Sequence, residues 1–251
     1  MRILISNDDG VYSPGIAALA EVAAGFAEVR IVAPDVERSS AGHSITAAAP
    51  LSCKRTPLAG GSVDAWRVNG TPADCVTLGL DQWQDVDLVL SGINLGSNLG
   101  NAIWHSGTLA AAKQAALLGR RGIAFSTPST ADEPDFALLQ PWVATVLTLL
   151  IEARDLRLVN VNLPSCRPRG VKWTRQSATQ YDGKVVAATD PMGRPHFWYT
   201  VAPLTGAEED TDLWAIEHGY VSITPLRLDL TNHEALAEAR AAFPTNAIAF
   251  G

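Results

Sequence analysis

The sequence is poor in cysteine and in positive charge, and each shortage excludes a class of protein. Its three cysteines, Cys53, Cys75 and Cys166, are far apart and form no Cys-x-x-Cys pair, which argues against a disulfide framework and a zinc cluster. Lysine and arginine number 19 against 26 acidic residues, for a net charge of −7. Because a surface that holds duplex nucleic acid needs clustered positive charge, we expect no such partner.

Long apolar runs are missing as well. The longest stretch, around 142–151, is too short to cross a bilayer, so we expect no membrane partner. The opening residues Met-Arg-Ile-Leu-Ile-Ser run straight into two aspartates and fit no signal peptide, which favours a cytoplasmic location. Apolar material is nevertheless ample, because 47% of the 251 residues are hydrophobic. This amount suits one large domain with a buried core.

Short apolar runs alternate with helical patterns through the first two thirds of the chain. Strands are predicted at 2–6, 28–33, 64–69, 87–90, 123–126 and 158–163, and helices at 14–26, 73–80, 108–118 and 136–153. A strand–helix–strand order implies parallel pairing with right-handed connections. We therefore predict an α/β fold with a Rossmann-like, doubly wound, mostly parallel sheet over about residues 1–165.

The pattern changes after Pro164. Ribbon-like strands are predicted at 172–174, 185–189, 196–200 and 220–224, with an acidic turn at 208–212 and a final helix at 233–242. We expect residues from about 166 to 251 to form a C-terminal β-hairpin or ribbon extension that decorates the first part rather than folding alone. Earlier in the chain, 35–62 looks irregular, with room for a long loop and a hairpin, and 91–107 reads as a loop.

Two adjacent carboxylates, Asp8 and Asp9, follow the first predicted strand. Ligands of open α/β sheets bind beyond the carboxyl ends of the strands. Adjacent carboxylates repel each other and are costly to bury, and a cation removes that cost. Oxygen ligands without histidine or cysteine suit Mg²⁺, Mn²⁺ or Ca²⁺ rather than Zn²⁺. The alternative is a solvated turn, because Asn-Asp-Asp-Gly also has ordinary turn chemistry.

Two more polar segments follow predicted strands. Residues 91–100 contain three glycines that allow close approach of a ligand, and Asn94 and Asn98 add amide groups; a flexible surface loop is the alternative. The segment 38–44 offers serine hydroxyls, which are weak ligands for a hard metal. Its histidine, His43, is expected to have a structural or substrate-side role rather than to bind metal.

A helix start supplies a possible anion site. Ser106, Gly107 and Thr108 stand at the beginning of the helix predicted at 108–118. Serine and threonine are good N-caps, and the free N–H groups and the helix dipole favour an anion there. Simple capping without a ligand is the alternative. If all these segments meet at one edge of the sheet, their oxygens fit a metal and the helix start fits a phosphate.

The sequence resembles the SurE family of survival-protein nucleotidases in stretches that span nearly the whole chain in the family order. These stretches are ILISNDDG (3–10), APDVERSSAGHSIT (33–46), NGTPADCV (69–76), LVLSGINLGSNLGNAIWHSGT (88–108), LVNVNLP (158–164), WTRQS (173–177) and YVSITPL (220–226). The combination is specific to the family, although NDDG alone would not be.

The resemblance implies one divalent metal ion per subunit, Mg²⁺ or Mn²⁺, and hydrolysis of nucleoside 5′-monophosphates to nucleoside and phosphate. Some family members also act on 3′-monophosphates and short polyphosphate. The family's metal ligands fall on Asp8, Asp9, Ser39 and Asn94. Its phosphate-contacting positions fall on Asn98, Ser106, Gly107 and Thr108. The register favours Ser39 over its neighbour Ser40.

A mechanism follows from the chemistry of these residues, and the resemblance bears on assembly. Asp8 or Asp9 would act catalytically by accepting a proton from the attacking water. Direct attack by Asp8 is the less favoured alternative, because its oxygens would already bind the metal. Family members form homodimers or homotetramers through a projecting hairpin and an exchanged C-terminal segment, which suits the ribbon-like residues 180–200.

Two other functions fit part of the pattern. A receiver-like signalling module also places paired aspartates after its first strand, but it needs a phospho-acceptor aspartate at the end of a middle strand, and 50–56 offers none. A nucleotide-binding module without turnover would differ from an enzyme in releasing no phosphate.

Overall fold

The structure is a computed structural model that describes residues 1–58, 63–129, 134–178, 183–201 and 206–243. The strands are β1 (Arg2–Ser6), β2 (Glu28–Pro34), β3 (Cys53–Thr56), β4 (Asp64–Val68), β5 (Leu88–Leu95), β6 (Arg121–Thr127), β7 (Leu158–Asn162), β8 (Val171–Trp173), β9 (Gly183–Thr189), β10 (Pro195–Val201) and β11 (Val221–Pro225). The helices are α1 (Pro14–Ala24), α2 (Pro72–Gln82), α3 (Gly107–Leu117), α4 (Phe136–Glu152), α5 (Asp212–Glu217) and α6 (His233–Ala242), with a 3₁₀ helix at Gly100–Trp104.

Nine strands form one sheet in the order β3-β4-β2-β1-β5-β6-β7-β11-β8, and β9 and β10 form a separate antiparallel ribbon. The neighbours from β4 to β7 all pair in parallel, which confirms the predicted α/β class. The chain winds outward from β1 in both directions, to β2 on one side and to β5 on the other. The crevice between β1 and β5 is therefore the switch point at which such sheets bind ligands.

The side chains of β1 explain why it is apolar along its whole length. Ile3 and Ile5 belong to the core that includes residues of α1 and α4, whereas Leu4 belongs to the core that includes residues of α2 and α3. A parallel strand buried on both faces needs a continuous apolar run rather than an alternating one. Helices thus cover both faces of the sheet and leave the carboxyl ends of its strands for polar residues.

The loop predicted at 91–107 is wrong in its first part. Strand β5 continues to Leu95, with a register shift between Ser91 and Asn94 against β6. Gly92 makes this irregularity possible: its φ is +120°, and an added Cβ would lie 2.1 Å from the carbonyl oxygen of Phe125. Asn94 is therefore fixed on a strand. Further along, the 3₁₀ helix replaces a second part of the expected loop.

The structure also corrects several boundaries. Helix α3 begins one residue earlier than predicted, because Ser106 is its N-cap and accepts a hydrogen bond from the Leu109 N–H at 2.9 Å. Of the hairpin expected within 35–62, the described residues there hold one strand, β3, and its antiparallel partner β4 lies beyond that range. Helix α5 was not predicted, because six residues are too few to give a clear helical period.

The C-terminal part contributes to both sheets. Strands β9 and β10 make the expected ribbon, while β11 pairs antiparallel with β7 and parallel with β8, so both extend the large sheet. Within the described part of the chain, no helix has the length and apolar character needed to cross a membrane.

Candidate active site

Asp8 lies just beyond the end of β1 and is only 4% exposed. The Thr108 hydroxyl donates a hydrogen bond to Asp8 Oδ1 at 2.5 Å. Burial raises the pKa of Asp8, against the opposing effect of hydrogen bonds from the Thr108 hydroxyl and from the backbone at Thr108 and Gly107. The N-terminus of α3 is therefore directed at this carboxylate, as a helix dipole favours.

Asp9 is less buried and faces the end of β5. The Leu95 N–H donates to Asp9 Oδ2 at 3.3 Å. Burial, followed by the nearby charge of Asp8, raises the pKa of Asp9 from 3.8 to about 6. The two aspartates thus occupy the crevice between β1 and β5, where ionising both is unfavourable without a cation.

Asn94 directly precedes Leu95, the residue whose N–H donates a hydrogen bond to Asp9. Its side-chain amide donates to the Gly96 carbonyl oxygen at 2.6 Å, which leaves Oδ1 as the oxygen able to bind a cation. The pairing of Asp9 with Leu95 fixes the aspartate beside this asparagine. Three of the four predicted ligand residues, Asp8, Asp9 and Asn94, are thus brought together.

Ser39 is linked to the site through its neighbour. The Arg38 N–H donates to the carbonyl oxygen of Asp8 at 2.7 Å, which holds this loop against the aspartates. The Ser39 side chain itself is exposed, and its hydroxyl donates to Glu37 Oε1 at 2.6 Å. Ser40 has a φ of +59°, in the left-handed region.

The rest of this loop is fastened near the start of α3. The Gly42 N–H donates to the His105 carbonyl oxygen at 3.1 Å, and His43 Nε2 lies 2.8 Å from Gln114 Oε1. The Thr71 hydroxyl donates to the Ser44 carbonyl oxygen at 2.8 Å. His43 therefore bridges the loop to α3, which fits the first of the two roles, structural or substrate-side, that were expected for it.

Asn98 is buried and held on nearly all sides by polar residues of β6 and β7. Its N–H donates to Asn162 Oδ1 at 2.9 Å, and its carbonyl oxygen accepts from Asn160 Nδ2 at 2.8 Å and Asn162 Nδ2 at 3.0 Å. Its own amide donates to the Ser126 hydroxyl at 2.8 Å. The position of Asn98 is therefore fixed by the sheet rather than by its loop.

The supporting asparagines were missed as functional candidates. Asn160 and Asn162 alternate within the strand β7, so they share one face, and both are buried. Two buried amides in an otherwise apolar strand need partners, and that requirement was a usable signal. A second missed residue is Asp212, whose buried carboxylate accepts hydrogen bonds from the N–H groups of Gly100 and Ser177.

The side-chain oxygens of this site suit a hard divalent cation. In the described ranges, no lysine or arginine forms an ion pair with Asp8 or Asp9, so the buried Asp8 and the half-buried Asp9 lack a compensating positive charge. The same residues contain no cluster of three or more histidine, cysteine, aspartate or glutamate side chains suited to a metal. Carboxylate, amide and hydroxyl oxygens are the ligands preferred by Mg²⁺ and Mn²⁺, not by Zn²⁺.

Comparison with known proteins gives a consistent result. The model of the family described as Survival protein SurE matches residues 3–183. The 5′-nucleotidase SurE 1 of Thermus thermophilus is 48% identical over 93% of this chain and 94% of its own. The 5′-nucleotidase SurE of Deinococcus radiodurans is 43% identical over 97% of this chain and 93% of its own. The crystal structure of the SurE protein from Aquifex aeolicus superposes with a TM-score of 0.81, at 37% identity, over 96% of this chain and 99% of that chain. With its switch-point aspartates, its sheet and its sequence all in agreement, this chain belongs to the SurE family.

Proposed function

We propose that the protein is a metal-dependent phosphatase that hydrolyses nucleoside 5′-monophosphates to nucleoside and phosphate. The observation that carries this proposal is the meeting of two uncompensated carboxylates, Asp8 and Asp9, with the N-terminus of α3. That arrangement provides a place for a cation next to a place for an anion. The names of the relatives, 5′-nucleotidase SurE, support the choice of substrate. Nucleoside 3′-monophosphates and short polyphosphate are further candidate substrates.

We assign the metal to the side chains of Asp8, Asp9, Ser39 and Asn94. Mg²⁺ or Mn²⁺ bound there supplies Lewis-acid polarisation of a phosphoryl oxygen and a site for water. The Ser39 hydroxyl would have to leave Glu37 to take part, which an exposed side chain does at small cost. Asp8 anchors the set, because it is buried and oriented by Thr108.

We assign the phosphoryl group to Asn98 and to the start of α3. Ser106 caps the helix, and the positive end of the α3 dipole, at the Gly107 and Thr108 N–H groups that also donate to Asp8, would stabilise charge that develops on a phosphoryl oxygen. Only one of the two N–H bonds of the Asn98 amide is needed for Ser126, so the other can serve a phosphate oxygen. These donors are fixed before substrate arrives.

Asp9 is the better candidate to accept a proton from the attacking water. Asp8 Oδ1 already accepts from Thr108, and its Oδ2 lies against Gly107. Asp9 lines an open cavity, so a water molecule can reach it. The same crowding disfavours direct attack by Asp8 on phosphorus.

A substrate panel tests the proposal directly. The purified protein is stripped with a chelator and assayed for phosphate release from the four common nucleoside 5′-monophosphates, the matching 3′-monophosphates and tripolyphosphate, with Mg²⁺, Mn²⁺, Ca²⁺ or Zn²⁺. We expect turnover of 5′-monophosphates with Mn²⁺ or Mg²⁺ and none in excess EDTA. Full activity in EDTA would contradict the metal requirement.

The same panel separates turnover from binding alone. A nucleotide-binding module would take up nucleoside monophosphate, seen by calorimetry, yet release no phosphate with any metal. Asp8→Asn serves as the matched negative variant, because it keeps the size of the side chain and removes one negative charge. A wild type no faster than this variant would contradict an enzymatic role.

We also propose that the ribbon of β9 and β10 joins copies of the chain into a homodimer or homotetramer. Val185, Phe197 and Trp198 are large apolar residues exposed on this ribbon. Helix α6 has no buried residue within its own chain, which suggests that a second copy covers it. A two-stranded ribbon with exposed apolar side chains is only marginally stable alone. Light scattering on Trp198→Glu tests this, with Leu118→Glu, an exposed leucine far from the ribbon in sequence, as control; we expect the first alone to give monomers.

A further inference from the structure

A cavity of about 540 Å³ opens beside Asp9, and none of the residues that line it belongs to α3. This volume lies within the range of small-molecule sites. Tyr12 and Val36 contribute apolar surface to its wall, and Asp35 and Glu37 contribute carboxylates. Because Asp9 belongs to both the proposed metal site and this wall, a substrate whose phosphate lies at that metal site can extend its remaining part into the cavity.

The charge of the wall determines which part of a nucleotide fits there. Asp9, Asp35 and Glu37 make it acidic, with Arg38 4.0 Å from Asp35, so the wall accepts a neutral group more readily than a second phosphate. A neutral nucleoside has no such conflict, and its hydroxyl and amino groups can donate hydrogen bonds to carboxylates. The phosphate thus belongs at the α3 end of the site and the nucleoside at the acidic end.

Tyr12 is held in a way that presents its ring to this cavity. Its hydroxyl makes a hydrogen bond of 2.5 Å with the Thr56 hydroxyl of β3, while the residue remains 61% exposed. The backbone on either side is fixed, because Val11 N–H donates to the Pro34 carbonyl oxygen at 2.9 Å and Ser13 N–H donates to Gly10 at 3.1 Å. Because the Tyr12 hydroxyl is held by a hydrogen bond while most of the residue is exposed, its ring offers a ligand a flat apolar surface at a low cost in side-chain entropy.

We propose that Tyr12 is the platform on which the nucleobase of the substrate stacks, and that this cavity is the nucleoside subsite. The inference rests on the proposed nucleotidase function and adds a residue that favours nucleotides over other phosphate monoesters. Stacking on an aromatic ring tolerates any base, because every base has a π-face. The subsite therefore recognises a nucleobase as a class and selects little among bases.

Two substrates that differ only in the base provide the test. Adenosine 5′-monophosphate has it, whereas ribose 5-phosphate keeps the sugar and the phosphate without it. In Tyr12→Ala we expect the ratio of kcat/KM for the nucleotide to that for the sugar phosphate to fall about tenfold, mostly through KM, as loss of one base–aromatic stack implies. Tyr12→Phe keeps the ring and loses only the bond to Thr56, so it should restore most of the ratio. Trp173→Ala, an exposed aromatic residue outside the cavity wall, is the control and should keep the wild-type ratio.

Each alternative outcome would contradict the proposal that the nucleobase stacks on Tyr12. An equal loss on both substrates would mean that Tyr12 supports the local structure through Thr56 and does not contact the base. An unchanged ratio in Tyr12→Ala would mean that the base lies elsewhere, even though the nucleotidase function holds. If the wild type released no phosphate, calorimetry of adenosine binding to wild type and Tyr12→Ala would still decide, and equal binding or no binding by both proteins would overturn the proposal.

Discussion

Gly107 and Asp8 are in direct contact, since a Cβ placed on Gly107 would lie 2.8 Å from both Cβ and Oδ2 of Asp8. Real Cβ atoms do not approach other heavy atoms this closely, so any side chain at position 107 must move the carboxylate or the helix. The family resemblance placed this glycine among the phosphate-contacting positions. The structure shows a more direct reason for a glycine at position 107, because only a residue without a side chain leaves room for the buried Asp8.

This contact predicts what happens when a single methyl group is added at position 107. Gly107→Ala should lower kcat by about tenfold or more and raise the Mn²⁺ concentration that gives half-maximal rate, because a displaced Asp8 holds the metal and the substrate less well. Gly25→Ala is the matched control, because its added Cβ would have only an ordinary contact of 3.4 Å with the Val22 carbonyl oxygen. Circular dichroism confirms folding, and normal kinetics in a folded Gly107→Ala would show that Asp8 tolerates the shift.

A second prediction concerns the stability of the protein without metal. The pKa of Asp9 in the fold is about 6, against 3.8 ordinarily, because burial and the charge of Asp8 disfavour ionisation. Its contribution to stability is therefore fully present below pH 3.8 and is lost as pH rises through about 6. Asp9→Asn removes this titration. In EDTA, the melting temperature of wild type relative to Asp9→Asn should fall between pH 4 and pH 7.

Adding Mn²⁺ at pH 7 should reverse that order, because a cation that binds only the folded wild type stabilises it by mass action. Asp9→Asn should gain little from the metal and lose most turnover. A melting-temperature difference that does not vary with pH in EDTA would show that Asp9 ionises as freely as in an unfolded chain.

Much of the fold follows from the sequence alone, for a physical reason. The strands of a parallel sheet are buried on both faces, so β1 and β7 appear as short apolar runs that end at polar or proline residues. The helices between the strands show the helical spacing of apolar residues in the sequence. Strand β3 and helix α5 were not predicted because both are too short to give a clear period, and the continuation of β5 to Leu95 depends on a glycine fitted against β6.

The candidate site was predictable in part. Asp8 and Asp9 stand out because paired carboxylates after a buried strand need compensation, and Ser106 stands out as an N-cap. The contact between Gly107 and Asp8 could not be predicted, because it joins residues far apart in the sequence by close packing rather than by any local pattern. The two hydrogen bonds between Asn162 and Asn98 were not predicted, for the same reason.

The choice between the adjacent serines gives a third prediction. Ser39→Ala should raise the Mn²⁺ concentration for half-maximal activity several-fold, whereas Ser40→Ala should leave it near the wild-type value. Each variant removes one hydroxyl and keeps the Cβ, so the comparison isolates the ligand oxygen, including at position 40 with its φ of +59°. Metal titrations of activity measure the effect. The reverse result would assign the ligand to Ser40.

The last prediction tests whether the C-terminal part helps to shape the phosphate site. Asp212 Oδ2 accepts from the Gly100 N–H at 2.9 Å, and Oδ1 accepts from the N–H groups of Ser177 and Leu213 at 2.8 Å each. Gly100 opens the 3₁₀ helix that leads to Ser106, so this buried carboxylate joins α5 to the loop before α3.

Asp212→Asn replaces one acceptor oxygen with a donor group and leaves at least one of these backbone N–H groups without a partner. We expect unfolding to become easier by about 1–3 kcal/mol, the usual result of an unsatisfied buried donor. We also expect KM for a nucleoside 5′-monophosphate to rise more than kcat falls, because a loosened turn misplaces Asn98 and Ser106 while the aspartates stay in position. Asp210→Asn is the control, since it makes the same chemical change two residues away at an exposed site with φ of +66°, where asparagine is well tolerated. Urea unfolding and steady-state kinetics on both variants measure the two effects. Stability lost without any change in KM would mean that Asp212 only holds α5 in place, and that the phosphate site is shaped by β6 and β7 alone.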